Sequence, residues 1–420
     1  MKNSLKRVVS LLLIISMITG GFVGCTTKEE TKDNSSNTSV DSPKDSTDTT
    51  TSEAQSVQED GGTIMWLSNL SSGVAYETAV NYATMICEEL GYEFQVVYGD
   101  PYNDPAGNLS AVKNGMTKDV VALIASQDGG IKDIMAEFPE LYVAGYNTDM
   151  LSVFGEGAAA AELLNNDRFL GTICDGEYDG RITGQQMAAA VIEKGYKKIS
   201  TIMFPGFAYP NLVAAEASFR EEIARYNDST ESDIEIVGDT KVLEFQPLEE
   251  AWFLEGRDDL DGIVAFCAGV LFVYPTMKSA IVNGSCSPNT KLITGGFDTD
   301  EAIVADIGDE GVIQYLNFSP TENIAWSLIM IDNAIGEKMY SDFPGAERIA
   351  SIPYVIDSKM DIENVMTKSM NGTADVTLTQ LGFEEIKGLL TRFTPDAQYS
   401  DLKTMFLSNQ LSVDALMLRE

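Results

Sequence analysis

From Thr63 onward the chain alternates between two hydrophobic patterns. Short apolar runs ended by glycine or polar residues are typical of buried strands. Between them, apolar residues three or four positions apart predict amphipathic helices, such as the one that begins at Val74 and stops before Gly91. The predicted strands are TIMWLS, EFQVVYG, DVVALIAS, ELYVAGYN, RFLGTICD, KISTIMF, EIVGDTKV, LDGIVAF, LIT at 292–294, GVIQYLNFS and ASIPYVID.

Strands and helices follow one another in regular alternation, which indicates parallel sheets covered by helices on both faces. The strands exceed one comfortable sheet, and 420 residues exceed one ordinary domain. The sequence therefore predicts an α/β protein with two doubly wound parallel-sheet lobes. No GxxxxGK[ST] or GxGxxG motif follows a strand, so we predict no nucleotide loop and no cofactor.

The amino terminus has the pattern of an export signal. MKNSLKRVVSLLLIISMITGGFVGC begins with basic residues, continues through an apolar run from Val8 to Ile18, and reaches small residues before Cys25. An ordinary secretory signal is the alternative to a lipoprotein signal here. We predict a signal peptide over residues 1–24 and lipidation of Cys25, which would anchor the chain on the extracytoplasmic face of the cell membrane.

Residues 25–62 are rich in Ser, Thr, Asp and Lys and nearly lack large apolar residues, which predicts a disordered tether. The whole chain carries a formal net charge of −36. Because phosphate backbones and anionic lipids repel such a chain, the charge argues against nucleic acid as a partner.

The chain has no histidine. This excludes Ser-His-Asp and Cys-His catalysis and removes the commonest metal ligand. Cys87, Cys174 and Cys267 lie in apolar runs and are predicted core residues. Cys286 lies in a polar loop, where it could form a disulfide. Because no CxxC pair occurs, we predict no metal site. Without histidine, a metal site or a phosphate-binding motif, we also predict no enzymatic activity. Acid pairs such as Asp298 and Asp300 leave an enzyme as a minor alternative.

Asp298 follows a predicted buried strand in LITGGFDTDEAI and precedes a predicted helix. It could cap that helix by accepting backbone N–H bonds. It could equally face a ligand, since ligands of open α/β sheets bind at the carboxyl ends of the strands.

Four passages, in order, resemble the type I periplasmic-binding-fold proteins, the solute-binding lipoproteins of ABC importers, and especially their ribose-binding-protein-like branch. They are TIMWLSNLSSGVAYETAVNYATMICEELGYEFQVVYGD, FLGTICDGEYDGRITGQQMAAAVIEKGYKKISTI, the pair LDGIVAF and KLITGGFDTDEAI, and ASIPYVIDSKMDIENV. Gly24-Cys25 similarly resembles the lipobox of bacterial lipoproteins.

The resemblance implies two lobes joined by a three-segment hinge near Asp175, residues 317–320 and residues 345–352. The amino-terminal lobe would comprise residues 63–175 plus 318–347. The carboxy-terminal lobe would comprise residues 176–317 plus 348–371. Residues 372–420 lie beyond the family's usual end; they look helical, and either packing on a lobe or contact with a partner would suit them.

The resemblance also implies which residues face the cleft between the lobes. For Tyr76 core packing stays open, and for Asp175 a purely structural role does. The chain lacks the arginines that sugar binders often carry, so we expect a neutral or cationic polar solute with an apolar face. The candidate ligand-binding residues are Asn69, Ser71, Tyr76, Ser126, Gln127, Asn147, Asp175, Phe207, Tyr209, Asp298 and Asn317.

The function implied is capture of a small polar solute, such as a sugar or nucleoside, by lobe closure and its delivery to the permease of an ABC importer. The protein would act as a monomer. A sensing lipoprotein that presents the solute to a membrane receptor is the alternative.

Overall fold

The computed structural model describes residues 61–100, 102–154, 162–174, 176–206, 209–230, 232–407 and 411–419. The predicted signal peptide, Cys25 and nearly all of the tether lie outside the described residues. Within the described part, two largely parallel sheets are covered by helices, which confirms the predicted fold class.

The strands coincide with most of the predicted apolar runs. EIVGDTKV is an exception, because it forms two short strands instead of one. In chain order the strands are β1 (Thr63–Ser68), β2 (Glu93–Tyr98), β3 (Val120–Ala125), β4 (Tyr142–Tyr146), β5 (Phe169–Ile173), β6 (Lys198–Met203), β7 (Glu235–Ile236), β8 (Lys241–Val242), β9 (Gly262–Ala268), β10 (Lys291–Gly295), β11 (Ile313–Phe318), β12 (Arg348–Ile349) and β13 (Tyr354–Ile356).

Helices fill the connections between the strands, as the apolar spacing predicts. In chain order they are α1 (Val74–Leu90), α2 (Pro105–Gly115), α3 (Ile131–Glu137), α4 (Leu151–Phe154), α5 (Gly176–Glu193), α6 (Pro210–Thr230), α7 (Gly269–Phe272), α8 (Tyr274–Asn283), α9 (Glu301–Ala305), α10 (Ile324–Ile335), α11 (Lys359–Lys368), α12 (Met370–Thr373), α13 (Phe383–Lys387), α14 (Tyr399–Leu407) and α15 (Val413–Met417); 3₁₀ turns span Glu250–Leu254, Thr321–Asn323 and Val376–Leu378.

Each lobe is built around one sheet. The first sheet runs β12-β5-β4-β3-β1-β2, and the second runs β13-β11-β10-β9-β6-β7 with β8 also paired to β6. All pairs are parallel except β11 with β13. The first-lobe core is centred on the fully buried Trp66, Tyr82 and Trp326, and the second-lobe core includes Phe253 and Tyr354.

Strand pairing corrects the predicted lobe boundary near residue 348. Arg348 and Ile349 pair with Thr172 and Ile173 of β5, so β12 belongs to the first sheet. The run ASIPYVID, predicted as one strand, forms a strand only over Tyr354–Ile356. Pro353 has no N–H to donate to a neighbouring strand, which is consistent with pairing that starts only after it. The crossing between the lobes therefore lies between Ile349 and Tyr354.

The residues after Lys368 are helical in short pieces, α12 to α15, and pack on the lobes. Leu390, Tyr399, Leu402 and Phe406 are buried in the first-lobe core. Val413 and Leu416 are buried in the second-lobe core. Of the two outcomes that the sequence left open, packing is the one observed.

The described cysteines form no disulfide, and Cys286 is buried although it follows a polar loop. Among the described residues no helix is long and apolar enough to span a bilayer. No group of three or more Cys, Asp and Glu side chains in this part of the chain is arranged to hold a metal ion.

Candidate functional site

A cavity of about 500 Å³ lies between the two lobes at the carboxyl ends of their strands. Its volume falls within the range of small-molecule sites. The first lobe contributes Val74, Ala75 and Thr78 from the start of α1, Asn147 after β4 and Cys174 after β5; the second contributes Asp179, Gly180, Thr183, Phe204, Tyr209, Asn211, Leu212, Ala215, Phe266, Cys267, Ala268, Val270, Leu271, Gly295, Gly296, Phe297, Asn317 and Phe318; the segments between the lobes contribute Ser319, Thr321, Ser351, Pro353 and Asn371.

The second-lobe wall is aromatic. Phe297 and Phe318 follow or end neighbouring strands, and their rings stack with centroids 4.6 Å apart and an interplanar angle of 16°. Phe204 packs against Tyr209, with centroids 5.7 Å apart. Such rings offer a flat apolar face to a solute, as required for stacking on the apolar face of a sugar or on a base.

The turn after β10 brings Phe297 to the cavity. Gly296 has φ +88°, and a Cβ there would lie 3.2 Å from Ala268 Cα, so this position favours glycine on both counts. The Gly296 N–H donates to the Asn317 carbonyl at 2.8 Å, which ties the turn to β11. The glycine pair that the sequence shows before Asp298 therefore serves the placement of Phe297.

Asn317 supplies a polar group within this aromatic wall. Its residue is 6% exposed, and Nδ2 is buried with no hydrogen-bond partner among the described atoms. The Tyr315 hydroxyl, two residues earlier on the same strand, is also buried; burial raises the pKa of Tyr315, and hydrogen bonding with the neighbouring Asn317 side chain opposes that rise. A fully unmatched buried donor costs about 1–3 kcal/mol, and a solute acceptor that completes the hydrogen bonding of Asn317 would recover part of that free energy.

The cavity is nearly free of charge. Among its described lining residues none is Lys or Arg, and Asp179 is the one carboxylate. The Ser351 N–H donates to Asp179 Oδ1 at 3.0 Å, which links α5 to the segment between β12 and β13. Burial raises the pKa of the Cys267 thiol to about 12, so this thiol stays protonated and unreactive near neutral pH.

Three of the predicted site residues line the cavity: Asn147, Tyr209 and Asn317. Asn147 has φ +54°, a left-handed conformation that asparagine tolerates better than most residues. Asp175 and Phe207 lie outside the described residues.

Five predicted residues on the first lobe do not line this cavity. Asn69 and Ser71 are exposed beyond the end of β1. Ser126 Oγ accepts from the Trp66 indole N–H at 2.9 Å, and Gln127 Nε2 donates to the Asp100 carbonyl at 2.5 Å. Tyr76 stacks on Trp66, and its hydroxyl lies 2.7 Å from that of Tyr98. Of the two possibilities for Tyr76, the structure shows the packing one.

Asp298 does not line the cavity either, and it does not cap α9. Its Oδ1 accepts from the Asp300 N–H at 2.9 Å. Asp300 is the capping residue, since its Oδ1 accepts from Ala302 N at 2.9 Å and Ile303 N at 3.3 Å. Of the two roles that the sequence left open for Asp298, the cap belongs to Asp300, two residues later.

The sequence reasoning missed the apolar part of the site, above all Phe297, Phe318 and Phe266. Each lies at or just after the carboxyl end of a predicted strand, so the strand-end rule could have found them. The residues predicted at the strand ends are polar, apart from Phe207 and Tyr209.

The fold resembles solved sugar-binding proteins. A solute-binding protein from Burkholderia graminis in complex with D-arabinose superposes with a TM-score of 0.53 and 14% identity, covering 74% of this chain and 99% of its own. One from Actinobacillus succinogenes with bound D-allose gives 0.52 and 15%, covering 72% and 99%. A glucose-galactose binding protein from Geobacillus stearothermophilus gives 0.52 and 13%, covering 71% and 98%.

A scan of protein-family models and a search of curated proteins found no match. The structural similarity confirms the predicted type I periplasmic binding fold. At this level of identity it is the fold alone that is shared.

Proposed function

We propose that this protein is an extracytoplasmic solute-binding protein that captures a small polar solute by closure of its two lobes and delivers it to an ABC importer. The observation that carries the proposal is the cavity between the lobes, at the strand ends where ligands of such sheets bind. The structural neighbours include solute-binding proteins solved with D-arabinose and with D-allose.

The lining supports an uncharged solute with an apolar face. A carboxylate or phosphate would enter the cleft without a Lys or Arg side chain among the described lining residues to pair with it, which is costly for a buried charge. The aromatic wall suits a pyranose, a furanose or a planar base. Neutral sugars and nucleosides are therefore the solutes that we propose.

A thermal-shift screen over neutral sugars, nucleosides and matched anionic relatives tests this proposal. A solute at about 100 times its Kd should stabilise the folded chain by about 2.7 kcal/mol. Stabilisation by sugar phosphates or nucleotides, but not by their neutral parents, would contradict the proposed solute class.

The protein binds its solute without changing it in this proposal. Two observations support this part of the proposal. The chain has no histidine, and the Cys267 thiol in the cavity stays protonated near neutral pH. Prolonged incubation with the stabilising solute should return it unaltered by mass spectrometry. Turnover that persists in independently purified samples would point to an enzyme instead.

Lipid anchoring at Cys25 is part of the proposal and rests on the sequence Gly24-Cys25 and the polar stretch after it. Cys25→Ala should release the protein from membranes, whereas Cys286→Ala should not. Import itself is tested by uptake of labelled solute, which should fall when the gene is deleted. Unchanged uptake together with a lost transcriptional response would favour sensing.

A further inference from the structure

The chain passes between the lobes more often than the hinge of the proposed fold requires. After the three expected crossings, Val365 lies in the second-lobe core but Met370 lies in the first-lobe core. Several residues from Leu381 to Phe406, and Leu411, are buried in the first-lobe core, whereas Val413 is again in the second-lobe core. We call the described residues 370–407 and 411–419 the carboxy-terminal segment.

The carboxy-terminal segment is held firmly on the first lobe. Arg392 pairs with the buried Asp332 of α10 and also donates to the Leu90 carbonyl at 3.1 Å. Thr391 donates both its N–H and its hydroxyl to Asn333 Oδ1, each at 2.8 Å. These contacts join the segment to two helices of the first lobe, α1 and α10.

The end of the segment is attached to the second lobe. Arg419 Nη1 donates to the Lys368 carbonyl at 2.9 Å, and Lys368 Nζ donates to the Arg419 carbonyl at 2.8 Å. The same guanidinium donates to the carbonyls of Leu378 and Thr379, in the part of the segment docked beside the first lobe. Arg419 therefore joins the end of α11 to that part of the segment.

A second contact spans the same junction. Gln380 Nε2 donates to the Tyr354 hydroxyl of β13 at 2.5 Å and to the Ser412 carbonyl at 3.2 Å. Thr379, its neighbour, donates to Glu322 at 3.3 Å, in the turn where the chain enters the first lobe. Rotation of one lobe against the other must strain or break these contacts, because the segment is fixed to both.

We propose that the carboxy-terminal segment limits how far the two lobes separate when no solute is bound. The segment thereby restricts how far the cavity between the lobes can open. The effect of this restriction on solute capture rests on the function proposed above, whereas the restriction itself does not.

The test compares lobe separation in the intact chain and in a chain that ends at Leu411. This truncation, combined with Gln380→Ala to break the remaining contact with Tyr354, removes the second-lobe attachment but leaves the buried residues of the first-lobe attachment in place. Spin labels at Lys118→Cys and Val282→Cys, both highly exposed and on different lobes, report the distance in both chains, each of which also carries Cys25→Ser and Cys174→Ser so that these cysteines are not labelled. Leu418→Ala is the matched control, since Leu418 is 86% exposed.

Without added solute, the truncated chain should show a longer mean distance and a broader distribution, and the control should superpose on the unmodified chain. If truncation prevents folding, Arg419→Ala breaks the same junction and should lengthen the distance in the same direction. Identical distance distributions in the folded release variant and the unmodified chain would overturn the proposal. Because no solute is used, failure to identify one leaves this result intact.

Discussion

The two walls of the cavity occupy the same position in the fold, the carboxyl ends of parallel strands, but they use it differently. On the first lobe the polar side chains at this edge bond within the lobe, as Ser126 does with the Trp66 indole and Gln127 Nε2 with the Asp100 backbone carbonyl, although Gln127 Oε1 has no partner among the described residues. On the second lobe Phe297 and Phe318 face the cavity, and Asn317 keeps an unmatched donor there. A polar residue at a strand end is thus available to a solute only if it lines the cavity and its own lobe leaves it unpaired, as with Asn317 but not Gln127.

The largest expected effect is on the aromatic wall. Phe297→Ala removes a ring that stacks on Phe318 and lines the cavity. Burial of a Phe side chain is worth about 1.5–3 kcal/mol, so solute affinity should fall by that amount. This corresponds to about 10- to 150-fold in Kd by calorimetric titration.

Tyr102→Ala is the control for that variant, since Tyr102 is an exposed first-lobe aromatic outside the cavity. It should bind the solute normally. Equal losses in both variants, or none in Phe297→Ala, would remove the asymmetry between the walls.

Much of the fold follows from the sequence because burial on both sides gives strands continuous apolar runs. Thus the sequence predicts β1, β3 and β9 from their apolar runs and from the glycine or polar residues that end them. The exceptions have local causes, such as Pro353, after which β13 begins. The two extra crossings of the carboxy-terminal segment could not be predicted, because its apolar spacing shows an amphipathic helix but not the surface that covers it.

The site was predicted less well than the fold for a related reason. The strand-end rule finds the correct edge of the sheet, and Asn147, Tyr209 and Asn317 line the cavity as a result. The strand-end rule does not show which side chains already form hydrogen bonds with neighbours in the protein. Ser126 is bonded to an indole sixty positions away in sequence, a pairing set by the register of β1 and β3.

The second expected effect concerns the unmatched amide. Asn317→Leu keeps the size of the side chain but removes the donor that a solute acceptor would meet. Loss of a neutral hydrogen bond should weaken binding by about 0.5–1.5 kcal/mol, or about 2- to 13-fold in Kd. The unliganded protein should be about as stable to urea, because the buried amide makes no hydrogen bond of normal geometry among the described residues.

Asn69→Ala is the first-lobe counterpart and should change neither affinity nor stability, since Asn69 is exposed. A marked loss of unliganded stability in Asn317→Leu would show that the amide is already satisfied within the protein.

The third effect separates two neighbouring carboxylates on the second lobe. Asp300→Ala removes the cap of α9 and should lower the free energy of unfolding by about 1 kcal/mol. Asp298→Asn should leave solute affinity nearly unchanged, because Asp298 lies outside the cavity lining. A loss of more than tenfold in affinity for Asp298→Asn, about 1.4 kcal/mol, would restore Asp298 as a ligand residue.

The smallest effect is expected at the tyrosine pair of the first lobe. The hydrogen bond with Tyr98, and secondarily burial, raises the pKa of Tyr76 from 10.0 to about 12. Tyrosine is neutral when protonated, so this pair contributes its full stability below pH 10 and loses it as the pH rises towards about 12. Tyr76→Phe should therefore lose less stability than the unmodified chain between pH 9 and pH 12, as followed by urea unfolding.

At neutral pH the same variant tests the first-lobe wall directly. If Tyr76 bonds only Tyr98, solute affinity should change by no more than about twofold, the scale of an ordinary surface substitution. Tyr102→Phe supplies the matched control, because the Tyr102 hydroxyl is exposed and is not part of the Tyr76–Tyr98 pair. A tenfold weaker affinity in Tyr76→Phe alone would mean that the first-lobe tyrosine turns towards the solute when the lobes close. The difference between the two walls would then belong to the unliganded state, and polar groups that bond one another there would still be available for exchange with a solute.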